Sequence, residues 1–160
     1  MISLEYLNKT NLKNNSLKKI AFIIVLMFSF YGFSQDFKPT YEKALAAAEE
    51  QKKPLIVMFT GSDWCPPCIR LDKKVLKSEA FISYSKENYI LYRADFPKKK
   101  ENKLSEKLVA ENAKLAEKYN PKGHFPLVVV LDSKENILGK MSYKRQKPLE
   151  YISLINTFVK

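Results

Sequence analysis

LIVMFTGSDWCPPC, residues 55–68, carries a strand, a turn and a helix start in one stretch. Leu55 to Thr60 is a continuous, branched-rich apolar run, the pattern of a strand covered on both faces. Gly61-Ser62-Asp63 is a turn signal. A helix is expected from Cys65, with Cys68, Leu71 and Val75 on one face. Pro66 suits its first position, where a missing N–H has no intrahelical partner to lose.

Working outward, residues 39–52 open with Pro39, run through Tyr41, Leu45 and Ala48 at helical spacing and meet Pro54. On the other side, Glu79 to Lys86 reads as a short helix and Tyr89 to Phe96 (YILYRADF) as a second buried-type strand stopped by Pro97. Lys98, Lys99 and Lys100 begin a solvated connection. Leu104, Leu108, Leu115 and Tyr119 then share one helical face, with charge on the other. Leu127 to Leu131 (LVVVL) is a third strand, 132–136 a hairpin loop and Ile137 to Tyr143 a fourth strand. Pro148 opens a last helix carrying Leu149, Ile152, Ile155 and Val159. These segments predict an α/β domain over 35–160: a central mixed four-stranded sheet flanked by helices, with an extra helix before it and a helical insertion after the second strand.

The chain has 160 residues, enough for one ordinary domain and a leader. Its 46% hydrophobic and 28% charged content fits a folded protein. The net charge is +11, but Lys9, Lys13, Lys18, Lys19 and Glu5 fall within residues 1–34, which leaves +8 for the rest. No nucleic-acid-binding motif accompanies that charge, so it reads as a solvated lysine surface rather than a nucleic-acid site. Residues 20–33 (IAFIIVLMFSFYGF) are apolar save for Ser29 and Gly32, with Lys18 and Lys19 before them and small Gly32 and Ser34 at the exit. Basic flank, short apolar core and small-residue exit describe a secretory signal. The run falls short of the roughly 20 residues needed to span a bilayer. No cysteine lies at the exit to take a lipid. Residues 1–34 are therefore expected to be a cleaved signal peptide, which places the protein in the periplasm or elsewhere outside the cytoplasm, where disulfides persist. An uncleaved leader would keep it membrane-associated.

The two cysteines need a reason. A cysteine at a helix start lies at the positive end of the helix macrodipole, which lowers its pKa and makes it the attacking nucleophile. The second, one turn on, is placed to resolve the mixed disulfide that forms. Pro66 and Pro67 remove two amide donors, so Cys68 supplies the main local ones. Three bland explanations compete. A structural staple over so short a loop constrains little of the unfolded chain. Half a zinc site needs more ligands than His124, the one histidine, can add. Inert buried cysteines fit poorly with an exposed turn. No metal, flavin or nucleotide motif is present, so no cofactor is expected.

LIVMFTGSDWCPPC, then YILYRADFP (residues 89–97), then KLAEKYNPKGHFPLVVVLDSKENILG (residues 114–139) together resemble the thioredoxin superfamily over nearly all of the chain after the leader. The likeness is greatest to exported bacterial thioredoxin-like proteins with an N-terminal helix and a lysine-rich insertion. The resemblance implies a thioredoxin fold and dithiol–disulfide exchange in which Cys65 attacks and Cys68 resolves. It matches Pro126 to the family's cis-proline, which presents backbone to a bound polypeptide, and Trp64 to the tryptophan that shields the nucleophile; Phe125 joins them in substrate binding. Plain core packing is the competing explanation for Trp64 and Phe125. Three departures stand out. Phe59 occupies the position of the family's buried acid, which leaves Asp63 and Glu117 as the nearby carboxylates in sequence. The stretch Asn120 to Phe125 is a residue longer than usual and sets His124 near the site. Pro66-Pro67 replaces the commoner Gly-Pro.

The leading expectation is a monomeric, extracytoplasmic protein disulfide oxidoreductase that reduces or isomerises disulfides of cysteine-containing protein substrates and draws electrons from a membrane-bound donor. An oxidant of substrate thiols is the alternative within the same chemistry. A non-catalytic binding module on the thioredoxin fold is the alternative outside it.

Overall fold

The computed structural model describes residues 36–159. The leader expected over residues 1–34 lies outside them. The described strands are β1 (Phe37–Lys38), β2 (Leu55–Thr60), β3 (Ile90–Asp95), β4 (Leu127–Leu131) and β5 (Ile137–Ser142). The helices are α1 (Tyr41–Gln51), α2 (Pro66–Leu71), α3 (Glu79–Asn88), α4 (Glu106–Tyr119) and α5 (Pro148–Asn156). Side-chain oxygens cap three of them: Thr40, Ser78 and Ser105 accept from the backbone N–H groups of Lys43, Phe81 and Leu108. Each cap satisfies a donor that the first helical turn leaves without a partner.

The strands form one five-stranded mixed sheet in the order β1-β3-β2-β4-β5. β1 and β2 run parallel to β3, while β4 is antiparallel to both β2 and β5. The expected sheet of four strands is thus corrected to five. β1 is two residues long and ends against Pro39, too short to show any period. The lysine-rich insertion is also less helical than expected, with a single 3₁₀ turn at Lys100–Asn102 before α4 begins. The helix after the cysteines is not continuous either: α2 passes into a π-helical turn, Asp72–Leu76, with Lys77 N–H bonded to the Asp72 carbonyl. That turn leaves both Val75 and Leu76 buried.

All six residues of β2 are buried, because helices cover both faces of the sheet. Leu55, Val57 and Phe59 pack with Ala44 and Ala48 of α1 and Leu115 and Tyr119 of α4 on one side. Ile56 and Met58 pack with Leu71, Val75, Phe81, Tyr151 and Ile155 on the other. This is the period-two alternation of a pleated strand with a core on each face. Antiparallel pairing of Phe59 with Leu127 has a functional consequence. The chain leaving β2 toward the cysteines and the chain entering β4 through Pro126 meet at the same edge of the sheet.

Candidate active site

At that edge, the turn after β2 closes through Trp64 N–H and Cys65 N–H donating to the Gly61 carbonyl at 3.3 and 2.9 Å. Cys65 is the N-cap of α2, with Pro66 and Pro67 filling the first two helical positions. Cys65 and Cys68 are joined in a disulfide, their Cα atoms 5.2 Å apart. The Cys68 N–H donates to Cys65 Sγ at 3.3 Å. Both cysteines are only 3% exposed, whereas the two prolines between them stand in solvent. The exposed turn expected from the sequence is therefore an exposed proline pair over a covered disulfide.

Trp64 is held from four directions. Its indole N–H donates to the Phe96 carbonyl at 2.7 Å. Its ring meets Phe125 edge-on at 5.6 Å, and Phe125 in turn meets Phe96 at 5.5 Å. Lys98 Nζ sits 4.1 Å from the ring centroid, a cation–π contact. Beneath the ring is Gly61, where an added Cβ would come within 2.3 Å of the indole. The Phe125–Pro126 peptide is cis.

The polar residues singled out in the sequence are placed differently from one another. Asp63 is engaged by the insertion loop: its carboxylate accepts from the backbone of Lys98 and Lys99 and from Asn102 Nδ2 at 2.9–3.0 Å. Those bonds, the Lys98 N–H first, pull its pKa down to about 2. His124 is exposed, and only its backbone is engaged, donating to Asn120 Oδ1 and accepting from Asn120 Nδ2 at 2.9 Å each. Glu117 is exposed on α4. Phe59 is fully buried in the core, so the position of the family's buried acid is apolar here.

The structure adds residues that the sequence did not single out. Asp95 accepts from Thr60 Oγ1 and Ser62 N–H at 2.8 and 2.9 Å, fastening the turn to the end of β3. Asn120, 3% exposed, braces the chain before Pro126 through both of its amide bonds to His124. Gly61 and Phe96 frame Trp64. A glycine next to a tryptophan-bearing turn is a signal that could have been found; the Asn120 brace spans a loop and has no sequence pattern. Among the described residues no cluster of three or more His, Cys, Asp or Glu could hold a metal ion. No described helix is long and apolar enough to cross a membrane.

A family model described as thioredoxin-like matches residues 36–133. The chain is 30% identical over 121 residues to a protein of Chlamydia pneumoniae named disulfide bond reductase DsbH, which covers 76% of this chain and 71% of that protein. A solved structure of a DsbH oxidoreductase superposes with a TM-score of 0.73 at 27% identity, over 79% of this chain and 85% of its own. A solution structure of a putative disulphide-isomerase from Bacteroides thetaiotaomicron superposes with a TM-score of 0.59 at 22% identity, over 79% of this chain and 94% of its own, a likeness of fold.

Proposed function

The chain belongs to the thioredoxin-like family and is a disulfide oxidoreductase, and from that premise we propose that it reduces disulfides of proteins outside the cytoplasm, with Cys65 attacking and Cys68 resolving. One observation carries the assignment of roles. Cys65 caps the start of α2 and accepts the Cys68 N–H, whereas Cys68 lies inside the helix. A negative charge on Cys65 sulfur is therefore met by an N–H and by the positive end of the helix.

The cycle begins with the pair reduced. Cys65 thiolate attacks one sulfur of the substrate disulfide and bonds to it; the other substrate sulfur leaves as a thiolate and takes a proton. Cys68 thiolate then attacks Cys65 Sγ, releases the second substrate thiol and closes the Cys65–Cys68 disulfide. Two electrons have passed to the substrate. A dithiol must reopen the disulfide, and outside the cytoplasm that dithiol belongs to a membrane-bound donor. Trp64, Phe125 and Pro126 form the surface on which the substrate segment lies. The name of the reductase relative supports the reducing direction. The local donors support it too, since Pro66 and Pro67 have no N–H to offer and Phe59 supplies no base. The thiolate is only moderately stabilised, which argues for a potential nearer that of thioredoxin, about −270 mV, than the strongly oxidising end at about −120 mV.

Dithiothreitol-driven reduction of insulin by the purified protein tests the activity. Turnover is expected, and Cys65→Ser is expected to abolish it. A glutathione redox titration of the Cys65–Cys68 couple tests the direction. A value near the strongly oxidising end would replace reduction of substrates by oxidation.

A further inference from the structure

A cavity of about 280 Å³ opens beside Trp64, between the lysine-rich insertion and α4. Phe96, Leu104 and Val109 give it apolar walls, and Val109 is 50% exposed. Its polar floor is already spent. Asn112 donates to the Asp95 carbonyl and accepts from the Tyr92 hydroxyl, and the Asp95 carboxylate is taken by Thr60 and Ser62. Four exposed lysines line the cavity, Lys98, Lys99, Lys100 and Lys103, and none of them is in an ion pair among the described residues. Lys98 lies over the Trp64 ring. The acidic side chain of the lining itself is Asp95, held by Thr60 and Ser62, and the adjoining loops carry Asp63, which is engaged by loop donors, and exposed Glu101.

The cavity is anchored rather than incidental. Asp63 pins the backbone of Lys98 and Lys99, and the Trp64 indole pins Phe96. The residue that precedes the attacking cysteine thus touches the cavity's own lining. Arg70, Lys144 and Arg145 line a second cavity, of about 460 Å³, together with Pro66 and Pro67 of the cysteine turn. Cations therefore stand beside the cysteine turn as well as around the first cavity.

Resting on the proposed function, we infer that the cavity beside Trp64 docks a segment of the protein substrate in which an apolar side chain near the reacting cysteine is flanked by carboxylates. Apolar walls and a cationic rim suit that chemistry and oppose a basic segment. The complementarity acts on encounter as well as on the docked complex, and salt screens it.

The test uses the reduced protein and peptides whose single cysteine is linked to thiopyridine. Attack of Cys65 on the peptide sulfur forms the protein–peptide disulfide and releases thiopyridine, which is followed by its absorbance. Three peptides are compared, acidic with a leucine, basic with a leucine, and acidic with serine in its place, alongside the neutral mixed disulfide of 2-mercaptoethanol with thiopyridine. The acidic leucine peptide is expected to react at least about tenfold faster than the basic one at low salt, with the advantage shrinking at high salt. It is expected to react several-fold faster than the serine peptide. Lys100→Glu/Lys103→Glu is expected to remove the acidic preference while leaving the rate with the neutral disulfide unchanged. Equal rates for the three peptides would overturn the docking site alone. So would an equal loss for peptide and neutral disulfide in the double variant. No reaction with the neutral disulfide would overturn the oxidoreductase reading itself, and the docking site with it.

Discussion

Trp64 is the one tryptophan of the chain, and it rests on a residue chosen for having no side chain. Gly61→Ala puts a Cβ into the indole, so ring or turn must shift. Overpacking of this kind costs about 1–3 kcal/mol. Gly61→Ala is expected to lower stability by that amount in urea unfolding, to shift the tryptophan emission of the folded protein and to slow insulin reduction. Unchanged emission would mean that Gly61 is not what seats the ring. Asp63 makes a second test. Its carboxyl is held at about 2 by donors of the insertion loop, so its charge stabilises the folded loop above its ordinary value of 3.8, and that contribution is lost as pH falls through about 2. Carboxyl-carbon NMR is expected to give that low midpoint, and Asn102→Ala is expected to raise it. At this scale the Cys65–Cys68 pair and the Phe125–Pro126 peptide were legible as linear patterns, a C-x-x-C spacing and a proline downstream of it. Phe96 was silent because its partner Trp64 arrives from another element, and Asn120 because its brace to His124 across a loop has no sequence pattern.

The strands with unbroken apolar runs were the plainest elements to read, since β2 and β4 are covered on both faces and every residue reports burial. β1 was missed because two residues have no period, and the π turn because its signature is a hydrogen bond from Lys77 to Asp72, not a residue pattern. The hairpin loop was legible as a turn but its load was not. Glu135, at φ 64°, accepts from Tyr41 Oη, Tyr119 Oη and Lys118 Nζ at 2.7, 3.0 and 3.1 Å. One carboxylate thereby ties α1 and α4 to the β4–β5 hairpin. Glu135→Ala removes the shared acceptor and is expected to cost about 1–3 kcal/mol in urea unfolding at neutral pH. The Tyr41 hydroxyl, with Lys118 and Tyr119, holds the Glu135 carboxyl below its ordinary 4.5. Its contribution is present above that value and lost as pH falls through the lowered one, so the gap between wild type and Glu135→Gln is expected to narrow in acid. A gap that stays constant would show that packing, not the charge, is at work there.

For the whole molecule, the fold supplies one edge where three chain ends converge: β2 leading to the cysteine turn, β3 leading to Phe96, and Pro126 leading into β4. The insertion after β3 then sets a lysine-rimmed cavity against that edge. The proposed reduction of protein disulfides outside the cytoplasm requires export, since that is where such disulfides persist. Mass spectrometry of the protein from its native host is expected to find an N-terminus near Gln35. An intact Met1 on a cytoplasmic protein would place the cysteines in a reducing compartment instead. The division of labour between the two sulfurs is tested most directly by trapping. Cys68→Ser leaves Cys65 with no resolving thiol, so the variant expressed in the host and quenched with an alkylating agent is expected to carry partner proteins in mixed disulfides through Cys65, all released by dithiothreitol. Mixed disulfides accumulating equally on Cys65→Ser, through Cys68, or on neither variant, would contradict it.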